Sequence, residues 1–288
     1  MPLVINTNTM SMNAQRNLTN NTSLLSKSLE KLASGYRINR AGDDAAGLQL
    51  SEGLRSQIRG SQKAYDNVQD GLNLLNIADG SFETITNNLQ RIRELVVQSA
   101  NDTYATAQRL AIGSEIDQLR ADIDRIANAS RFNGVQLLNS STPASFFIQL
   151  GPNNNATVDA LDIIGALGET RASVATSAGG LGLTALATTA VTDSTTARTY
   201  LGVIDTAIST LLSKRATLGA YVNRLEGAAN NLLNSIENLS SAESRIRNVD
   251  VAMESANMTR NQILQQASAT ILSQANQTTG LALQLLQN

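Results

Sequence analysis

The sequence predicts a mainly α protein: long antiparallel helices forming a coiled-coil rod, a small β-hairpin near the middle, and both termini paired in an inner helical domain. Three observations carry this. Apolar residues recur on seven-residue lattices at both ends of the chain. The 3 prolines fall at positions 2, 143 and 152, so long stretches on either side are free of the residue that breaks helix interiors. Aromatics are 3% of 288 residues, with no Trp, so a core must come from Leu, Ile, Val and Ala, which favours helix packing over a sandwich.

The elements follow in order. Leu18, Thr22, Leu25, Leu29 and Leu32 step by four and three, one face of a first helix. The stretch GYRINRAGDDAAGLQL at 35–50 interrupts it. Two arginines and paired aspartates there suggest a magnesium and phosphate site, but no Walker lysine pattern accompanies them. A joint explains them better: Gly35 ends one helix, Gly42 permits a sharp turn, and Asp43 or Asp44 caps the next helix, with Arg37 and Arg40 between. Leu54, Val68, Leu75, Phe82, Leu89 and Val96 then share one lattice, with Ser61 its polar exception. Asn101 and Asp102 mark a turn, Thr103 or Thr106 is the expected N-cap, and a further helical run from Ile112 to Ile126 ends at Asn133-Gly134.

PASFFIQLG, PNNN and ATVDALDI read as two short strands around a turn, a hairpin at about 143–165. Residues 173–199, rich in Ser, Thr, Ala and Gly, read as an exposed variable loop, and the GGLGL within it has no preceding strand to make it a dinucleotide loop. The clearest lattice runs from Leu201 to Leu239, interrupted only by Arg215. It continues through Ile246 and Met253, then resumes at Leu264, Ile271, Thr278 and Leu285. The eleven residues from Met253 to Leu264 amount to a four-residue stutter, read as a second joint. The expected division is 1–43 with 245–288 as an inner coiled-coil domain and 44–244 as an outer helical rod.

Composition excludes several functions. There is no Cys and no His, which removes thiol nucleophiles, Ser-His-Asp triads and the usual zinc ligands and leaves only carboxylate or Ser/Thr chemistry; no converging set of such residues stands out, so no catalytic residue, metal or cofactor is expected. A net charge of −2 without a basic stripe argues against nucleic acid. No apolar run reaches the roughly eighteen residues of a membrane span. The start, MPLVINTNTM, lacks the regions of a Sec signal peptide, so secretion requires another route. The terminal segments SMNAQRNLTNNTSLLSKSL and RNQILQQASATILSQANQTTGLALQLLQN are rich in amides and hydroxyls and poor in charge. Such surfaces lose less on desolvation than charged ones, which suits helix-to-helix contact. Leu18, Leu25, Leu32, Leu264, Ile271 and Leu285 form the expected assembly seam.

Four stretches carry a family resemblance: LEKLASGYRINRAGDDAAGLQLSEGLRSQIRG at 29–60, LQRIRELVVQSAND at 89–102, SRFNGVQLL at 130–138 and NQILQQASATILSQANQ at 261–277. The chain resembles the bacterial flagellins, over roughly 1–140 and 200–288. The resemblance implies a structural subunit, not an enzyme, stacked with its own copies into a hollow helical filament that a motor turns for swimming. It also implies export unfolded, without signal cleavage, to an extracellular location. The implied partners are an export chaperone at about 261–288, the filament cap and hook-junction proteins, and the vertebrate Toll-like flagellin receptor. By the same resemblance Arg91, Leu95 and Glu115 match the receptor contact, and 35–44 matches the connector between inner and outer layers. A hook–filament junction protein shares the terminal plan and is the alternative, but the markers at 89–102 and 261–277 favour flagellin. Few Lys and no Trp speak against a membrane-active helical protein.

Overall fold

Helix formers without interior proline set the architecture. The computed structural model describes residues 7–138, 146–155, 157–163, 181, 183, 191 and 193–286, the last of these from 278 onward by backbone alone. Its helices are α1 (Thr9–Ser34), α2 (Ala45–Ser99), α3 (Thr106–Ala129), α4 (Ser194–Arg247) and α5 (Val251–Leu286). Between α3 and α4 lie β1 (Arg131–Phe132), β2 (Val135–Gln136), β3 (Phe147–Gln149) and β4 (Ala160–Asp162). The chain divides into a terminal unit, Met1–Ser56 with Asn238–Asn288, and a central unit, Gln57–Glu237.

The central unit holds the aliphatic core. Val68, Leu75, Phe82, Leu89 and Val96 of the α2 lattice are each 0% exposed. Ser61 on the same lattice is buried too, so the lattice is geometric even where it is not apolar. From α4, Ile204, Leu211, Leu218 and Leu225 join this cluster, and from α3 Ile112, Ile116 and Ile123. Each fully buried side chain of this size contributes about 1.5–3 kcal/mol, so a core without large rings is assembled from many equal steps.

Local chemistry closes the ends. Asn101 Oδ1 accepts the Thr103 N–H at 3.2 Å, making the α2–α3 turn, and the Arg109 guanidinium donates to the Asn101 carbonyl at 3.0 Å. Neither Thr103 nor Thr106 caps α3. The cap is Ala105, whose N–H is accepted by Gln108 Oε1 at 2.8 Å, because a side chain three residues on can do what the Ala105 methyl cannot. Beyond α3 the sequence signal at Asn133-Gly134 is more than a stop. With φ of 47° and 81° these two residues form the tight loop of a hairpin that pairs Arg131 with Gln136 and Phe132 with Val135. The expected second hairpin is present as β3–β4, with Ile148 opposite Leu161.

Two expectations are corrected. Most of 173–199 lies outside the described residues, but Leu181, Leu183 and Val191 are buried in the core, and α4 already starts at Ser194. Small and polar composition concealed three apolar anchors. The stutter between Met253 and Leu264 is not a joint, since α5 runs through it unbroken. The break falls at Asn248–Asp250 instead, where Asp250 Oδ1 accepts the N–H groups of Ala252 and Met253 at 2.9 and 3.1 Å and starts a new helix.

The β3–β4 hairpin rests on α2 at two glycines. A Cβ at Gly71 would collide with the Ile148 side chain, and one at Gly60 would lie 2.6 Å from Pro152 Cβ and 3.3 Å from its Cα. Gly80, on the same helix, faces open space. Gly80→Ala is therefore expected to stabilise by up to about 1 kcal/mol through helix propensity. Gly60→Ala gains the same propensity but must push a rigid ring aside, at about 1–3 kcal/mol, and is expected to destabilise on balance. Thermal unfolding of the two variants checks this; equal gains would contradict the seating.

Candidate functional site

The stretch 35–44 and the break at 248–250 are bound to each other. Gly35 takes the left-handed conformation at φ 74° and ends α1, its N–H donating to the Lys31 carbonyl. The two strands of chain then pair: Arg37 N–H donates to the Arg247 carbonyl at 2.6 Å, Val249 N–H to the Gly35 carbonyl at 3.0 Å, and Tyr36 forms an antiparallel bridge with Asn248. Arg37 also donates through its guanidinium to the Ile246 carbonyl at 2.8 Å. Each break thereby supplies the backbone partners that the other has lost by leaving its helix.

The aspartates are structural. Asp43 Oδ2 accepts the N–H groups of Asn39 and Arg40 at 3.2 and 3.1 Å, folding the turn back on itself. The Arg40 N–H, outweighing desolvation, holds the Asp43 carboxyl below its ordinary 3.8, with help from Asn39 N–H, Lys31 and Lys27. Asp44 Oδ1 accepts the Gly47 N–H at 2.9 Å and caps α2. Arg40 pairs with Glu30 at 2.9 Å. Among the described residues no group of three or more His, Cys, Asp or Glu converges to hold a metal. Gly42 lies in the expected turn, closed by Asp43 N–H donating to the Arg40 carbonyl at 2.9 Å, but its φ is not positive and nothing crowds it, so glycine's backbone freedom is needed at Gly35 and not at Gly42.

Sequence reasoning missed the far side of the joint. The Arg247 guanidinium lies 4.7 Å over the Tyr36 ring and pairs with Glu52 on α2. Arg247 first, then Arg55, draws the Glu52 carboxyl below its ordinary value. Ile38 is 2% exposed, seated where Gly47 leaves room. The signal for Ile38 was a lone aliphatic between two arginines; nothing in the sequence pointed to Arg247.

The terminal helices α1 and α5 pair antiparallel, but on a different phase from the one expected. Leu18, Leu25 and Leu32 are half-buried on the α1 side. Leu264 and Ile271 are not on the α5 seam; they are 43% and 57% exposed, and the side chain of Leu285 lies outside the described residues. The α5 face turned inward is instead Asn261, Gln265, Ser268, Leu272 and Ala275. Its polar members explain the choice. Asn21 Nδ2 donates to Ser268 Oγ at 3.0 Å, Gln265 Nε2 to Thr22 Oγ1 at 3.1 Å, Ser11 Oγ to Asn276 Oδ1 at 2.8 Å, and Asn8 Nδ2 to the Ala275 carbonyl at 2.9 Å. Small residues let the helices approach and amides then bridge them. A stripe of Met253, Leu264 and Ile271 is left facing outward.

In the central unit, Arg91 on α2 reaches Glu115 on α3 at 2.9 Å and Glu94 at 3.1 Å, all three exposed. Glu115 first, then Glu94, raises the Arg91 guanidinium further above its ordinary value. Leu95, expected with them in the receptor contact, is not on the surface: it is 2% exposed and part of the core. Here α2 contacts α3 through Arg91 and α4 through Arg93, which pairs with Asp205, so its buried stripe is wider than one lattice.

Replacing Gly35 by Ala forces a side chain into the left-handed region and is expected to cost about 1–2 kcal/mol. Gly42→Ala is expected to be near neutral. Thermal unfolding of both variants measures the contrast.

Two family regions match the chain. The bacterial flagellin N-terminal helical region matches residues 5–142 and the C-terminal helical region residues 201–286. A flagellin of Halalkalibacterium halodurans is 42% identical over 285 residues, covering 99% of this chain and 100% of that one. A flagellar filament 33 kDa core protein of Treponema phagedenis is 43% identical, covering 99% and 100%. A flagellin of Bacillus subtilis is 43% identical, covering 98% and 99%. With both terminal regions matched and relatives aligned from end to end, the chain belongs to the bacterial flagellin family.

Proposed function

We propose that this chain is a structural subunit that assembles with copies of itself into the flagellar filament used for swimming. Its full-length relatives carry the names flagellin and flagellar filament core protein, and the family is structural rather than enzymatic. The observation on this chain that carries the reading is the outward stripe of α5, with Met253, Leu264 and Ile271 between 43% and 63% exposed. Apolar side chains in a row along a helix that already has one partner are suited to a second one, and in a homopolymer that is a neighbouring copy. The terminal unit, expected at 1–43 with 245–288, would form the inner layer and the central unit the outer one. The joint would hold the ends of the inner helices in a fixed relation.

Further partners follow from the same family. Secretion, an export chaperone on about 261–288, and the cap and hook-junction proteins belong to this reading. So does the vertebrate Toll-like receptor, for which the exposed Arg91–Glu115 pair is a suitable anchor, with Leu95 beneath it as support.

Because Leu264 and Ile271 are exposed, Leu264→Ser with Ile271→Ser is expected to leave monomer stability within about 0.5 kcal/mol. Seeded elongation followed by electron microscopy is expected to slow at least tenfold; unimpaired elongation would refute the stripe. For the receptor, Arg91→Ala monomer is expected to lose about 1–2 kcal/mol of binding, the cost of truncating an interface anchor. A reporter-cell dose response with dissociated monomer reads this out, and a silent parent protein would end the assignment.

A further inference from the structure

The α4 lattice from Leu201 to Leu239 has a single charged member, Arg215. It is withdrawn from water, with its side chain 29% exposed, and it grips Asp79 of α2 with two hydrogen bonds, Nε to Oδ1 at 2.9 Å and Nη2 to Oδ2 at 3.1 Å. Both residues lie in the central unit. The Asp79 hydrogen bond is the largest cause raising the guanidinium's affinity for its proton, and Glu83 adds to it.

Around this pair the two helices are nearly periodic. Two antiparallel seven-residue lattices of Leu, Ile and Val present the same apolar face after a slip of one heptad, about 10 Å at 1.5 Å per residue. Apolar burial is non-directional and distinguishes such registers poorly. Charge distinguishes them well. A slip by seven in either direction would bring Arg215 to Thr86 or Leu72 in place of Asp79, and to Gln90 or Asn76 in place of Glu83. In the first case Glu83 lies three residues from Thr86, and in the second no carboxylate lies three or four residues from Leu72, so either way the guanidinium loses the carboxylate it grips with two nitrogens, which is unfavourable for a partly buried charge. Two other ion pairs join these helices: Arg93 with Asp205 is about half exposed at both ends and is screened by solvent, and Arg247 with Glu52 lies in the terminal unit. The bidentate fork adds geometry, because it fits one carboxylate position and not its neighbours.

We infer that Arg215 and Asp79 form a register pin, which selects one axial alignment of α4 on α2 and contributes little to holding the helices together. The consequence for assembly rests on the filament-subunit reading: a copy slipped by a heptad would offer its neighbours a displaced surface and could not join a regular lattice. The register itself is a property of the single chain and is tested there.

The chain has no Cys, so introduced pairs report alignment cleanly. Asn76 and Gly219 line one cavity of about 520 Å³ beside the pin. Asn76→Cys with Gly219→Cys reports the native register, and Asn76→Cys with Glu226→Cys or Gln69→Cys with Gly219→Cys reports a slip of seven either way. Each pair is oxidised in monomer under dilute conditions. With Asp79 and Arg215 intact, the native pair is expected to form disulfide at least twentyfold faster than either slipped pair. In Asp79→Leu with Arg215→Leu, helicity is expected to persist while that preference falls below about threefold. The swap Asp79→Arg with Arg215→Asp is expected to restore it. An undiminished preference in the leucine variant would overturn the pin. So would loss of its helices, which would mean that the pair holds the helices together instead of aligning them.

Discussion

The constraint on which the rest depends is the aliphatic heptad lattice of the central unit. With 3% aromatics, the chain has few large rings to organise a core. It uses Leu, Ile, Val and Ala at spacings of three and four, which only long helices can present on one side. Gly71, open to Ile148, and Gly60, open to Pro152, are then needed so that the hairpin can lie against a helix already occupied by its helical partners. A lattice so regular is strong in total burial and weak in alignment. Polar intrusions such as Arg215 are therefore informative, since an intrusion costs stability unless it meets its partner.

The terminal unit obeys the opposite logic. Along α1 and α5 the inward faces carry Ser, Ala, Asn and Gln among the leucines, and the residues buried there are small: Ala14, Ser28, Ser268 and Ala275. Hydrogen bonds such as Asn21 to Ser268 fix how α1 lies on α5, but each contributes only about 0.5–1.5 kcal/mol net. Meanwhile Leu24, Leu29, Leu264 and Ile271 stay outside. A pair of helices that buries mainly small and polar groups and leaves much of its apolar surface outside is incomplete as a monomer and gains stability on meeting further helices. That arrangement suits a subunit that must stay manageable as a single chain and become rigid only when assembled.

How much of this was legible depends on which physical signal each feature leaves. Period was legible: the lattices at 54–96 and 201–239 were readable because apolar spacing survives any partner. Phase was not. On α5 the most apolar lattice, Leu264 and Ile271, is the wrong one for pairing with α1, because sequence hydropathy does not say which of two faces meets which neighbour. For the same reason the sequence does not show that Leu95, which matches the receptor contact by resemblance, is a core residue. Its burial follows from α2 having two partners at that point, a tertiary fact. The joint at 35–44 was legible through Gly35 and the aspartates, whose backbone chemistry is local. Its partner at 248–250 was not, since Tyr36 and Arg247 are joined only by folding. The stutter misled by marking a change of lattice where the helix merely turns another face outward.

The pairing of the two breaks has its own consequence. A flexible linker at each would leave several backbone N–H and C=O groups to water and let α1 and α5 move independently. Here Arg37 N–H, Val249 N–H and the Arg37 guanidinium all cross from one break to the other, and Arg247 adds a ring contact and an ion pair to Glu52. Opening one side unsatisfies the other, so the two behave as one element that opens as a whole or stays shut. An ion pair at the surface contributes little alone, but Arg247 combines the ion pair with a ring face and with a carbonyl already engaged by Arg37. The physical content of the joint is therefore cooperative closure: N-terminal and C-terminal helices that pair weakly along their length are tied firmly where they leave the pair.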